Sequence, residues 1–470
     1  MSNLNTAIEF DYTYRYAAPS SLLRDQNRNQ LSLVTSPECG SSAQFFRGRV
    51  TQPKRTADLL IAIVSVVQSR FHVPAAMLGR ILLLADPVIT CSESFVRFEG
   101  FSSCGGAYAR LDLLPDALDG ERLTSGTTNV DVNAPMRNGL SKLRDGEAMD
   151  LTVGAEGLAI QHNGQELIER KVKLPSRWLR GFVEVQSFQA NMALSFEVSG
   201  AEFRRFLNAL PKGFKGSAWV SLANRSIRLS SIAGKGAVCV GGIARLRVLE
   251  PIARYADKVR VYAPLEASPD GGTSTGSNAG VTGWEITTSD SRFHLVLSPD
   301  VWRGFSGEGQ VLETLARNSM EKAVAVVRAS LCWQEVIDAS DVASQYGLKT
   351  DDVEGALAHL AASGLIGYDL SEQAYFHREL PFDLSLVSKL QPRLKGANRL
   401  LDDAAVSLDR DASPMTAWVK SGDVEYHVVL DVDTPRCTCV WFAKHKGSRG
   451  PCKHILAAQI TLQENKDASD

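Results

Sequence analysis

Three of the chain's eight cysteines and two of its eight histidines fall within Cys437–Ile455. Four of them, Cys437, Cys439, Cys452 and His454, form the pattern C-x-C-x12-C-x-H. Zinc takes four tetrahedral ligands and prefers thiolate and imidazole donors. Two close pairs separated by a longer excursion can each grip one side of an ion while the connecting loop closes round it. The bound metal keeps such thiols deprotonated. Three cysteines and one histidine leave no position open for water or substrate, so the set predicts one structural Zn2+ per chain and not a hydrolytic centre. His445 lies inside the loop as a competing ligand but lacks the paired spacing. His427 lies upstream on a predicted strand, as a non-ligand.

The same loop carries a candidate partner surface. Lys444, Lys446, Arg449 and Lys453 lie in or beside it, and Trp441 and Phe442 adjoin them. A basic loop with aromatic neighbours can hold phosphates and stack on bases. The same residues also suit a small metal core, with the two aromatics covering the ion and the cations solvating the loop. The sequence leaves both readings open.

The pattern and its flanks resemble the SWIM zinc finger family. "AWVKSGDVEYHVVLDV" (Ala417–Val432) is similar to the hairpin that precedes the ligands. "CTC" supplies the first pair, and "PCKHILAAQI" (Pro451–Ile460) supplies the second pair and opens a closing helix. The resemblance covers about residues 417–463. It implies zinc ligation by Cys437, Cys439, Cys452 and His454, and association with DNA or a protein partner. The whole chain also resembles bacterial SWIM zinc finger family proteins, a wider resemblance that implies no chemistry.

Composition limits the alternatives. Hydrophobic residues make up 44% and charged residues 22% of the 470 residues, ordinary for a globular protein. No apolar run approaches the roughly 20 residues that span a bilayer. The N-terminus "MSNLNTAIEFDYTYRY" has no basic region followed by an apolar core. A cytoplasmic location is therefore expected. The net charge of −2 means that any nucleic-acid contact must come from a local basic patch. Cys39, Cys91, Cys104, Cys239 and Cys332 lie far apart and read as small buried hydrophobes. The chain has no phosphate-binding G-x-x-x-x-G-K-[ST] loop and no H-E-x-x-H. Cys104, in "FEGFSSCGGAYAR", is the best candidate for a reactive spot. A nucleophilic cysteine needs an activating neighbour that the sequence cannot place, so a tight turn with a buried thiol competes with it. The chain is read as a non-enzyme.

The elements that would position the finger follow from periodicity. Thr56–Phe71 reads as a buried helix and Pro74 as the start of a second. Ser94–Gly100 and Ala107–Leu114 read as strands, and Ser125–Arg137 as turn chemistry. From Ala148 to Ala263 the period is mostly two, with a hairpin at Asn163-Gly164 and another near Asn224. "LPSRWLRGF" (Leu174–Phe182) echoes "LSPDVWRGF" (Leu297–Phe305). "EASPDGGTSTGSNAGVTG" (Glu266–Gly283) reads as a flexible loop.

From Gln310 the pattern turns helical. A short helix near Ser340, a turn at Gly347, a helix from Thr350 and a hairpin after Gly364 read as a winged helix-turn-helix. Its second helix carries Asp351, Asp352 and Glu354 and no Lys or Arg, which argues against major-groove reading. Lys389, Arg393, Lys395 and Arg399 follow, on what reads as a solvated helix face.

The expected fold class is α+β and multidomain. Residues 1–145 form a mixed domain whose first part, to Gln44, is an arm. Residues 146–308 form a β-rich antiparallel domain, 309–380 a winged-helix-like module, 381–416 a helical connector and 417–470 the finger. The expected function is a non-catalytic zinc-binding adaptor that docks DNA or a protein through Lys444, Lys446, Arg449, Lys453 and Trp441. The alternatives are a winged-helix DNA-binding regulator and an enzyme centred on Cys104.

Overall fold

The computed structural model describes residues 21–25, 28–32, 44–71, 87–130, 132, 134–155, 157–162, 165–170, 176–212, 216–264, 280–299, 304–305, 311–316, 321–380, 391–409, 411–431, 435–447 and 449–467. The helix expected from Pro74, the Asn163-Gly164 turn and most of the Gly/Ser-rich loop lie outside them.

Helix α1 (Pro53–Gln68) begins with proline at its first turn and buries residues on nearly every side, from Thr56 to Val67. A helix apolar all round must be enclosed. Here it packs against strands β5 (Val96–Phe101) and β6 (Ala107–Leu113). Those strands lie inside an eight-stranded antiparallel sheet ordered β12-β16-β17-β18-β6-β5-β4-β8. The other members are β4 (Val88–Cys91), β8 (Gly126–Asn129), β12 (Met192–Ser199), β16 (Lys258–Pro264), β17 (Thr282–Thr287) and β18 (Ser291–Leu297). A five-stranded sheet joins β3 (Gln44–Val50) with β7 (Leu118–Arg122), β9 (Asp150–Gly154), β10 (Gly157–His162) and β11 (Gln165–Arg170). A three-stranded sheet joins β13 (Ala218–Ala223), β14 (Ser226–Ser230) and β15 (Val238–Val240). Strands β1 (Ser21–Asp25) and β2 (Arg28–Ser32) form a hairpin in the expected arm. Helices α2 (Ala134–Lys142), α3 (Ser176–Gln189) and α4 (Gly200–Ala209) complete this body. One continuous hydrophobic core runs through it.

The sheet crosses the division expected at 145/146. Strand β18 pairs with β6 from Ser291↔Leu113 to Leu297↔Ala107. The two expected domains therefore share one hydrogen-bonded sheet. Two local expectations also change. The Thr-rich tract expected as turn forms edge strand β8 and opens α2, since β-branched threonines suit a pleated surface. The loop expected to end at Gly283 ends earlier, because β17 starts at Thr282. In the echo, Ser176–Phe182 lies in helix α3 and Leu297 ends β18, while residues 174–175 and 300–303 lie outside the described set.

Beyond the body come α5 (Val311–Ala316), α6 (Glu321–Ala329), α7 (Ala339–Tyr346) and α8 (Thr350–Ala362). The Asp338 carboxylate accepts from the Ser340 and Asp341 amides at the start of α7. Gly347 ends that helix at φ 64, a left-handed position that glycine adopts without strain. Strands β19 (Ile366–Asp369) and β20 (Ala374–His377) then form a hairpin. Leu365 and Ile366 belong to a small core shared with α6, α7 and α8, whereas Tyr368 and Leu370 belong to the core of the body. The hairpin thus joins two cores.

Its seat on the body is ionic. The Asp369 carboxylate accepts from Arg97 at 2.9 Å and also pairs with Arg110. Asp112 holds the same two guanidiniums, with Arg97 Nε at 2.7 Å. Arg378, just past β20, pairs with Glu99, and Glu99 also accepts from the Tyr108 hydroxyl. Arg97, Glu99, Arg110, Asp112, Asp369 and Arg378 are all buried. Arg97 lies 4.3 Å from the ring centroids of both Phe95 and Phe376. Glu335 adds a second tie, accepting from the Ser92 hydroxyl at 2.6 Å and the Ser94 amide at 2.7 Å.

The C-terminal unit has its own core. Its four-stranded sheet runs β21 (Val406–Asp409), β22 (Thr416–Ser421), β23 (Val424–Val429), β24 (Arg436–Cys437). It is completed by α9 (Pro392–Asp402), α10 (Val440–His445) and α11 (Lys453–Asp467). The span expected as a helical connector therefore supplies a strand, β21, to this sheet and a helix, α9, to this core. Leu312 of α5, fully buried, also belongs to that core.

Candidate metal centre

Strand pairing, two helix starts and a glycine turn build the centre. Cys437 sits on β24 opposite Val428 of β23. The Thr438 amide donates to the His427 carbonyl at 3.0 Å, which fixes the turn between the first two cysteines. Cys439 caps α10, its Sγ accepting from the Phe442 amide at 3.3 Å. Sulfur here takes the place of the side-chain oxygen usual at a helix start. After α10 the chain turns back through Lys446 at φ 45 and Gly447 at φ 78. Cys452 precedes α11, and its Sγ accepts from the Ile455 amide at 3.5 Å. The Cys439 amide in turn donates to Cys437 Sγ at 3.4 Å. Each sulfur thus has a backbone donor, an arrangement that stabilises negative sulfur and fixes its direction.

His454 lies on the first turn of α11, stacked on Tyr426 at a ring distance of 4.3 Å. The four donor atoms lie within 4.8 Å of one another, and all four residues are buried. Cys437 Sγ and His454 Nδ1 are 3.7 Å apart. A tetrahedral zinc with ordinary bond lengths sets a sulfur–nitrogen edge of about 3.6 Å. His454 Nε2 is buried with no hydrogen-bond partner among the described residues. The residues fit the ion, with Nδ1 on the ligand side.

Close packing makes the three thiols share protons. Cys437 donates to the Cys452 sulfur and is buried, so its thiol is pushed well above the usual range. Cys452, which receives that bond, is drawn down to about 4. Burial raises Cys439. A dication replaces these shared protons and holds all three as thiolates.

The other expected site residues fall in different settings. Trp441 is half-buried, with the Arg393 guanidinium 4.7 Å from its ring centroid and His445 tilted against it at 4.7 Å. His445 lies outside the four-residue donor group. Lys453 donates to Ser421 Oγ at 2.9 Å. Arg449 is half-buried, while Lys444 and Lys446 are exposed. His427 is tilted against Trp418 at 4.6 Å. Cys104 has Ser102 Oγ at 3.4 Å, and no histidine hydrogen-bonds to it among the described residues. Sequence reasoning missed Tyr426, whose place two positions from Val428 on β23 gives the signal in retrospect. It also read Arg393 only as part of a solvated face.

Comparison with known proteins agrees on this unit. The family model for the SWIM zinc finger matches residues 426–463. No curated protein matches the chain. Among solved structures, the proliferating cellular nuclear antigen of Entamoeba histolytica is 11% identical at a TM-score of 0.35, covering 55% of this chain and 99% of that one. The A. fulgidus PCNA bound to the C-terminal region of FEN-1 is 10% identical at a TM-score of 0.35, covering 54% and 98%. At that TM-score the likeness settles neither fold nor function. No described helix is long and apolar enough to cross a membrane. The ligand set, its geometry and the family match give one conclusion: this chain carries a SWIM zinc finger with a Cys3His site for one structural zinc ion.

Proposed function

We propose that the protein is a non-catalytic adaptor whose finger docks the phosphate backbone of DNA through the exposed cations of its zinc loop. The observation that carries this reading is the placement of Lys444 and Lys446, both exposed at the end of α10, on a loop held by buried ligands. Metal-fixed cations on a short loop suit phosphate contact, and Arg449 borders them. Trp441 and Lys453 serve the finger itself in this reading, since each already has an intramolecular partner.

The winged-helix regulator is the second reading. The order α7, turn, α8, hairpin supports a winged-helix-like module. DNA reading by it is disfavoured by two features. Helix α8 presents Asp351 and Glu354 to solvent, and the hairpin that would serve as the wing is seated on the body through buried ions. A docking role for the module fits both.

The test is fluorescence anisotropy of a labelled duplex against the full chain at several salt concentrations. Affinity should fall steeply with salt, and Lys444→Ala with Lys446→Ala should lower the log–log slope by about 2. No binding of the duplex would move the reading to a protein partner, and binding that ignores both salt and these substitutions would overturn the role of the zinc-loop cations.

A further inference from the structure

We propose that Arg393, which lies outside the residues matched to the finger, is a positioning residue for the zinc site. The inference rests on the zinc reading of Cys437, Cys439, Cys452 and His454. Arg393 stands on α9 and touches segments adjoining both ligand pairs. Its Nη1 donates to the Arg449 carbonyl at 2.5 Å and to the Pro451 carbonyl at 2.8 Å. Pro451 immediately precedes Cys452. The guanidinium also lies 4.7 Å from the ring centroid of Trp441, two residues past Cys439 on α10.

One planar cation therefore ties the segment entering the second ligand pair to the helix leaving the first. The loop between the pairs turns through Lys446, Gly447 and Gly450, all at positive φ, so its own backbone preference does little to fix the distance between its ends. Arg393 supplies that restraint from outside the loop. One nitrogen bonds both carbonyls, which a lysine ammonium could copy, but the flat guanidinium over the indole is a contact that lysine cannot reproduce. Three thiolates and one neutral imidazole round a dication carry one net negative charge, and a neighbouring guanidinium favours that state over the metal-free thiols. Outer groups that orient metal ligands typically change affinity by 10- to 100-fold.

The test is competition for zinc between the full-length protein and a chromophoric chelator, for the parent, Arg393→Ala, Arg393→Lys and Lys395→Ala. Cobalt substitution supplies a second readout. Arg393→Ala should bind zinc roughly 10-fold or more weakly and release it faster, while its cobalt spectrum keeps the tetrahedral pattern because all four ligands remain. Arg393→Lys should recover only part of the loss. Lys395→Ala, on the same helix but exposed, should match the parent. Equal affinity in the parent and Arg393→Ala overturns the proposal and leaves the zinc reading intact. So does a loss of affinity that comes with unfolding of α9, seen as lost hydrogen-exchange protection at Leu394, Ala397 and Leu400. A parent that takes up no zinc overturns the metal reading, and this one with it.

Discussion

The finger and the β19–β20 hairpin are both small units that cannot bury enough apolar surface alone, and they are fixed by opposite means. The finger closes on a metal, with ligands at most 17 positions apart, Cys437 to His454. The hairpin closes on the body through buried ion pairs whose partners lie far away, Asp369 with Arg97 at a separation of 272 and Arg378 with Glu99 at 279. Metal ligation gains a large favourable term from unfolded to folded chain, because no site exists before folding. A buried ion pair gains much less, since desolvating the charges cancels most of their attraction. The finger should therefore be all-or-none with respect to zinc. The hairpin should be a specific seat whose individual charges matter mainly when one is left alone.

Zinc removal should give the largest effect. Structural zinc is worth about 10–16 kcal/mol in finger peptides. Chelation, or Cys452→Ser, should abolish exchange protection across β22, β23 and α11 while leaving β5, β6 and β18 protected. Equal loss in both regions would erase the distinction between them.

Removing one charge from the hairpin seat should come next. Asp369→Asn leaves Arg97 and Arg110 buried with Asp112 as their remaining carboxylate. Breaking a buried pair in this way costs about 3–5 kcal/mol. Faster exchange in β19 and β20 with the finger unchanged is the expected result, and an unaltered hairpin would show that apolar packing at Tyr368 and Leu370 suffices.

Within the body, mild acid should give the smallest effect. His294 lies beneath the hairpin with Nε2 3.3 Å from Ser371 Oγ. Burial, then the Arg110 charge, pull its pKa down to about 4 from 6.5. The unfolded chain takes up this proton first, so stability falls as pH drops from about 6.5 to about 4. Between pH 7 and 5 the loss should be on the order of 2 kcal/mol, read from urea midpoints, and His294→Gln should flatten it. For Asp112 and Asp369, burial alone would raise the pKa, but Arg110 and Arg97 outweigh it and hold both below the usual range. Their contribution is present above about pH 4 and is lost below it.

Local chemistry made some of this legible in advance. The zinc ligands, the hairpin before them and the helix after them are set by short-range spacing. Strands β5, β6 and β12, helix α1 and the turn at Asn224, φ 50, likewise follow from period and turn residues. Strands β5 and β6 also show what spacing conceals. Arg97, Glu99, Arg110 and Asp112 alternate with apolar residues, as on a half-exposed strand, yet every residue of both strands is buried. A charge pattern cannot say whether water or an opposite charge from elsewhere in the chain will cover it.

By itself the sequence determined the metal, its four ligands and the identity of most local elements, because those depend on residues within a few turns of one another. Tertiary structure alone decided that one sheet spans the first two expected domains, that the hairpin is seated on that sheet, and that Arg393 reaches the zinc loop from a helix outside it. Those contacts depend on which distant segments meet, and the free energy of that meeting is shared among many weak terms that no single stretch of sequence records.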